Sequence, residues 1–347
     1  MKNLLDYTIK ELENRLLEDG FKPYAARQVF EWIYQKKQFD FYKMTNIAKP
    51  LQKKLSNTFT INTLEVFSEK RASDGTIKWL FVLEDGALIE TVLMRHPYGD
   101  SICVTSQVGC SIGCAFCASG LEKKTRDLRG GEMVAQVMSA AALANLKPTH
   151  VVIMGTGEPF DNYNETMRFI DIVNAPYGLA IGARHITVST SGIVPKIDQF
   201  AKEKRQVNLA ISLHAADNET RSKLMRINNV YPLESLLDSV KRYVKTTNRR
   251  VTFEYILLGG VNDSIADADR LSDCIRGING YVNLIPYNSV GEFPFVPSST
   301  KTAKAFHDRL MKRGINATLR REKGADIDAA CGQLRTNTIQ ERKKGYD

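Results

Sequence analysis

The sequence predicts an α/β fold: an incomplete (βα)6 TIM-like barrel, preceded by a small N-terminal helical domain and a β-meander. Three observations carry this. Helical periodicity fills the first 60 residues, two Asp-Gly turns separate alternating runs in the next 40, and from residue 101 six β-rich runs alternate with helical stretches. Strand and helix in regular alternation is the pattern of a parallel sheet covered by helices.

The elements follow in order. Asp6 to Leu17 and Ala25 to Gln38 carry apolar residues at three- and four-residue spacing, among them Val29, Phe30, Ile33 and Tyr34, and are separated by Gly20 and Pro23. Arg27, Lys36 and Lys37 fall on the polar face of this module. From about residue 61 the period becomes two. Leu64 to Phe67, Thr76 to Val82 and Ala87 to Val92 are joined at Asp74-Gly75 and Asp85-Gly86, and Asp-Gly between alternating runs predicts a hairpin. The predicted barrel strands are Ile102 to Ser106, His150 to Met154, His185 to Ser189, Val207 to Leu213, Arg250 to Leu257 and Tyr281 to Ile285. Helices are expected over Glu132 to Leu146, Glu165 to Val173, Leu233 to Thr246 and Asp267 to Ile278. A last strand, Ile315 to Arg320, leads into Gly324 to Leu334. The expected organisation is 1–60, a helical domain; 61–100, the meander; 101–290, the partial barrel; and 291–347, a helix, a strand and a cysteine-bearing segment. Such barrels bind substrates at the C-terminal ends of their strands, so chemistry is expected in the segments after each strand.

Composition narrows the class. At 43% hydrophobic and 25% charged, the 347 residues match a globular protein and exclude disordered and fibrous chains. No apolar run approaches the roughly 20 residues that span a bilayer. The polar start, Met1 to Asp6, lacks a signal core, so the expected location is the cytoplasm, where thiols stay reduced. The net charge of +9 leans toward a polyanionic partner. Basic runs at Lys123 to Arg126, Lys241-Arg242, Arg249-Arg250, Arg320 to Lys323 and Arg342 to Lys344 strengthen that lean, because phosphate neutralisation needs clustered cations. Charge alone does not choose between RNA, DNA and a merely solvated surface.

Chemistry centres on Cys110-Ser-Ile-Gly-Cys114-Ala-Phe-Cys117. C-x3-C-x2-C lets three thiolates converge from one loop. A structural zinc site wants a fourth ligand, for which Cys103 and Cys274 are candidates; an iron–sulfur cluster held by three cysteines keeps one iron open. The next strand ends in Gly155-Thr156-Gly157-Glu158-Pro159, where glycines permit close backbone approach and Glu158 offers an acceptor for an ammonium group. Ser189-Thr190-Ser191-Gly192 and Ser212-Leu213-His214 also end strands, and Asn288 is a further rim position. Each alone reads as strand-end capping, and His214 alone as a structural histidine. Cys274 reads as a small core side chain. Cys331, after the last strand, and Cys103, seven residues before the triplet, suggest covalent catalysis if the sheet brings them together.

The triplet is similar to the signature of the radical S-adenosylmethionine superfamily. Together with Gly157-Glu158-Pro159, Ser189 to Gly192, Ser212 to His214 and Ala330-Cys331-Gly332-Gln333-Leu334, the chain resembles the RlmN/Cfr family of RNA methyltransferases over nearly its whole length. The resemblance implies a radical SAM barrel with a [4Fe-4S] cluster on Cys110, Cys114 and Cys117. It implies S-adenosylmethionine held by Gly157, Glu158, Ser189, Ser212, Leu213, His214 and Asn288. Cys331 would be the methyl-carrying cysteine, Cys103 the resolving thiol and Glu90 the proton acceptor; read alone, Glu90 is a solvated strand residue. The implied reaction methylates C2 of an adenosine in the peptidyl-transferase region of 23S rRNA, with adenosine 37 of some tRNAs as a second substrate. It consumes two S-adenosylmethionine molecules per turnover and leaves a disulfide bond to be reduced. The implied partners are the RNA and an electron donor such as flavodoxin or ferredoxin, with no membrane and a monomeric state. Pro159 after Glu158 is the C2-type form, against Cfr-like C8 methylation by the same residues; Thr156 departs from the methionine commonest there. The alternative from another class, a zinc-stabilised RNA-binding protein without catalysis, leaves Cys331 and the rim motifs unexplained.

Overall fold

Thr8 starts the first helix, α1 (Ile9–Glu18), through a capping box: its hydroxyl accepts from Glu11 N, and Glu11 Oε2 accepts from Thr8 N at 2.8 Å. The helix therefore begins later than the apolar spacing predicts, and Leu4–Asp6 form a 3-10 turn instead. α2 (Tyr24–Phe30) passes into a π turn over Glu31–Gln35, so the predicted second helix holds two geometries. α3 (Lys49–Thr58) completes the module, which is closed by parallel pairing of β1 (Lys2–Asn3) with β2 (Phe59–Thr60). The chain is described here from a computed structural model covering residues 1–321 and 323–334; the basic run Arg342 to Lys344 and the end of the 291–347 segment lie outside the described residues.

β3 (Glu65–Arg71), β4 (Ile77–Val82) and β5 (Leu88–His96) form the predicted meander, with Gly75 and Gly86 at positive φ in its turns. The meander does not stand apart from the barrel. β5 pairs antiparallel with β6 (Gly99–Cys103), and β6 pairs parallel with β9 (His150–Ile153), after a small ribbon of β7 (Gln107–Val108) and β8 (Arg126–Asp127). Parallel pairing continues through β10 (Ile186–Thr190), β11 (Asn208–Ser212), β12 (Val251–Leu257), β13 (Gly280–Pro286) and β14 (Ala317–Leu319). One ten-stranded sheet results, in the order β14-β13-β12-β11-β10-β9-β6-β5-β4-β3.

The crossovers are α4 (Gly130–Leu143), α5 (Tyr163–Asn174), α6 (Val194–Lys202), α7 (Asn218–Leu224), α8 (Leu233–Thr247), α9 (Ile265–Cys274) and α10 (Thr300–Lys312). Strand alternation divides the side chains into two sets. Val151, Val188, Ile211 and Phe253 are buried in the core with Phe169, Phe200 and Tyr243 of the helices. The alternate residues Val152, Thr187, Asn208, Thr252, Glu254 and Asn283 line an internal cavity. The barrel lumen is thus polar and open rather than filled.

The N-terminal module docks on α4. Asp6 Oδ1 accepts from Gly131 N at 3.0 Å, and any Cβ at Gly131 would collide with Asp6. Arg129 and Arg168 add an ion pair at 3.2 Å to Asp6 and a 2.9 Å hydrogen bond to its carbonyl. Arg27, read as part of this module's polar face, is paired with Glu13 at 3.2 Å. No helix among the described residues is long and apolar enough to cross a membrane.

Candidate active site

The cysteine loop closes on itself before it meets anything else. Cys110 N donates to Glu122 O at 3.1 Å, Cys117 N to Cys114 O at 3.2 Å, and Gly113 between the first two cysteines takes φ +65°. All three thiols line one cavity with Gly157, Glu158 and His214. Among the described residues, no three His, Cys, Asp or Glu side chains are gathered tightly enough to hold a single ion. Burial, helped by the neighbouring sulfurs, pushes the Cys110 thiol up to about 11 and Cys114 well above its ordinary range, and burial also raises Cys117. Three buried thiols become ligands only to a group that brings its own positive charge and deprotonates them. Soft, anionic sulfur donors fit an iron–sulfur cluster, and three of them leave one iron free for a second molecule.

The rim around this cavity is tied together internally. Glu158 Oε1 accepts from Phe160 N at 2.9 Å and Oε2 from Ser191 N at 2.7 Å, so the carboxylate bridges the loops after β9 and β10. Burial raises its pKa while these donors oppose the shift. A Cβ at Gly157 would lie 2.7 Å from Gln107 Cβ, which requires glycine at that close approach. Ser189 Oγ and Ser212 Oγ stand 3.4 Å apart across neighbouring strands. His214 Nδ1 accepts from Ile256 N at 3.0 Å, which leaves the ring proton on Nε2; burial first, and then Arg221, pushes its pKa down to about 3. Leu213 is packed in the core and does not line the cavity.

Arg221 gave no signal in the sequence. It is 0% exposed, and its guanidinium donates to Leu213 O (3.1 Å), Ser191 O (2.8 Å), Ser212 O (3.2 Å) and Asn228 Oδ1 (3.0 Å). Those carbonyls belong to the ends of β10 and β11, so one side chain fixes both rim loops. An Arg221→Met variant strands these acceptors and should lose at least about 3 kcal/mol of stability. A urea unfolding midpoint unchanged from the parent would refute this role.

Cys331 stands between two cavities. The cysteine-triplet cavity lies on one side, and a larger one of about 910 Å³ occupies the lumen; Met154, Glu254, Ile285, Arg320 and Cys331 belong to the walls of both. The segment carrying Cys331 is held against the cysteine loop by Ala118 N to Gly332 O (2.7 Å) and Ser119 Oγ to Leu334 O (2.7 Å). Arg320, read in the sequence only as part of a basic run, donates to Cys331 Sγ at 3.5 Å. Cys103 lines the lumen, close enough to Cys331 for the sulfurs to interact; burial, then Cys331, pushes its thiol up to about 12. Asn288 also lines the lumen rather than the cysteine-triplet cavity. Cys274 lies on α9, partly buried against the core. Glu90 is not the solvated residue its strand position suggests. It is 4% exposed and paired with Lys78 at 3.0 Å, whose ammonium also donates to Asp328 O at 2.8 Å.

Family models, relatives and a solved structure match the chain. Residues 104–271 match the Radical SAM superfamily, and residues 2–61 match the Ribosomal RNA large subunit methyltransferase N-terminal domain. A protein of Geobacillus kaustophilus named "Probable dual-specificity RNA methyltransferase RlmN" is 52% identical, covering 99% of this chain and 95% of that one. A protein of the same name from Acholeplasma laidlawii is 52% identical, with 97% and 99% covered. The crystal structure of a radical SAM methyltransferase from Sphaerobacter thermophilus superposes with a TM-score of 0.91 at 47% identity, covering 96% of this chain and 99% of that one.

Proposed function

The chain belongs to the RlmN family of radical S-adenosylmethionine RNA methyltransferases, and we propose that it methylates C2 of an adenosine in 23S rRNA, and of adenosine 37 in some tRNAs, through a methylated Cys331. The observation that carries the reading is the place of Cys331 in the wall shared by the two cavities. A sulfur there meets a methyl donor on one side and a nucleobase on the other.

Cys110, Cys114 and Cys117 would hold a [4Fe-4S] cluster, and Gly157, Glu158, Ser189, Ser212 and His214 would line the S-adenosylmethionine site, with Leu213 contributing only backbone and Asn288 facing the RNA side. When bound, cluster and cofactor supply one-electron cleavage of a sulfonium and, with it, hydrogen-atom abstraction. The chain's own residues do the rest. Cys331 Sγ takes the methyl group by displacement, with the Arg320 guanidinium stabilising negative charge on the sulfur. The methyl carbon, after giving up one hydrogen atom, would add to C2 of adenine and link RNA to protein, and the adduct would hand back one electron as C2 loses its proton. Glu90, paired with Lys78, receives the C2 proton. Cys103 Sγ attacks Cys331 Sγ, freeing the product and leaving a disulfide for an external reductant. Adenine must be unstacked to present C2, which looped RNA permits. We assign the helical module of residues 1–60 and the basic surface to gripping RNA, the meander of 61–100 to carrying Glu90, the barrel of 101–290 to the cofactors and 291–347 to carrying Cys331. The expected protein is a cytoplasmic monomer served by a flavodoxin or ferredoxin.

Anaerobically reconstituted protein should carry about four irons and four sulfides per chain, and a single stoichiometric zinc in their place would sink the reading. Mass spectrometry of rRNA and tRNA from cells with and without the protein tests the product. 2-Methyladenosine is expected; 8-methyladenosine would move the reaction to C8.

A further inference from the structure

The lumen opens at the end of the barrel opposite the rim. Its mouth is built from residues that precede the strands: Arg184 before β10, Arg249 and Arg250 before β12, and the β5–β6 turn with His96 and Tyr98. Two features coincide there. The first is a row of rings. Tyr98 stacks on His96 (centroids 4.7 Å apart, planes at 6°), meets His150 edge-on at 5.3 Å, and His150 stacks on His185 at 4.3 Å. Tyr98 is nonetheless 67% exposed, so a ring already held by its neighbours keeps surface available to a ligand.

The second feature is positive charge without counter-charge. Cations of two other basic runs are neutralised: Lys124 by Asp127 and Asp161, Arg126 by Asp85 and Glu132, Lys241 by Asp238, Arg242 by Asp198. At the mouth, Arg184 and Arg250 pair with no carboxylate among the described residues; Arg250 lies over the Tyr281 ring at 4.6 Å, and Arg249 donates to the neutral amides of Gln206 and Asn208.

Exposed, pre-ordered rings beside unneutralised cations are the recognition chemistry of single-stranded nucleic acid: bases stack on the rings and phosphates sit on the cations. The geometry points to this mouth as the platform for the strand that carries the target adenosine. A neighbouring base stacks on Tyr98 while Arg184 and Arg250 hold its phosphates, and the target base passes up the lumen to Cys331 and Cys103. This inference rests on the RNA methyltransferase reading and adds where the RNA enters: from the N-terminal ends of the strands, opposite the cofactor rim.

Fluorescence anisotropy of the full chain with a fluorescein-labelled RNA hairpin, whose loop holds unpaired adenosines, tests it. Tyr98→Ala should weaken binding about tenfold or more, while Tyr98→Phe stays within about twofold. Arg184→Ala and Arg250→Ala should each reduce the slope of log Kd against log salt by about 0.7, and Lys241→Ala on the outer helix α8 should not. Parent-like affinity and slope in Tyr98→Ala, Arg184→Ala and Arg250→Ala would overturn the platform and leave the methyltransferase reading standing. Failure of the parent chain to bind the hairpin would overturn both. Competition by polyglutamate that matches RNA and ignores Tyr98→Ala would make the mouth a general polyanion site, and overturn the stacking role.

Discussion

A Cys331→Ala variant is expected to load iron and sulfide like the parent chain and to transfer no methyl group to RNA, a loss of roughly a thousandfold or more, at least about 4 kcal/mol of barrier. The contacts that hold its segment are made by main-chain atoms, Gly332 O and Leu334 O, which the substitution leaves in place. The thiol itself accepts one long hydrogen bond, from Arg320 at 3.5 Å, and lines the two cavities. Cluster loading, read from iron content and brown thiolate-to-iron absorption, therefore separates from methyl acceptance, read by intact-protein mass after incubation with S-adenosylmethionine. RNA methylated at the parent rate by the alanine variant would exclude the methyl-carrying role.

Cys103→Ala is expected to stop one step later and to accumulate a covalent protein–RNA adduct, visible as a slow band on a denaturing gel that ribonuclease removes. Single-turnover release of product should fall by about a hundredfold or more. In the parent chain the same step carries a pH signature. Burial disfavours the charged form of a thiol, so the Cys103 pKa is pushed up to about 12 and little thiolate exists at neutral pH. Below that pKa the thiolate fraction grows about tenfold per pH unit. Adduct resolution should therefore accelerate from pH 7 to pH 9, while methylation of Cys331 follows its own profile. Free methylated RNA produced by Cys103→Ala at the parent rate would remove Cys103 from the mechanism.

Local features of the site were readable from the sequence. Cys110, Cys114 and Cys117 lie within eight residues, so their spacing alone brings them to one loop. The glycines at 155 and 157 and the serines at 189 and 212 fall at strand ends that alternation locates to within a residue or two. Residues whose surroundings come from distant segments were misjudged. Glu90 reads as solvated because period-two alternation cannot tell that Lys78 will cover it. Asn288 is a rim residue by position, yet the chain after β13 turns it toward the lumen. Arg221 and Arg320 look like surface cations in a basic chain, and burial against carbonyls and a thiol is invisible until the strands are placed.

The sequence by itself determined the βα alternation, the meander and the identity of the cysteine loop, because period, turn chemistry and ligand spacing are properties of short segments. It also determined the family, since the motifs keep their order along the chain. The tertiary structure decided three things. It fused meander and barrel into one ten-stranded sheet, because β5 and β6 pair across a turn whose partners no local pattern names. It put Cys331 between two cavities, over 210 residues along the chain from the loop it touches. And it gathered Arg184 and Arg250 from two loops beside a row of rings at the barrel mouth, because parallel strands bring the residues that precede them to one end regardless of their separation in sequence.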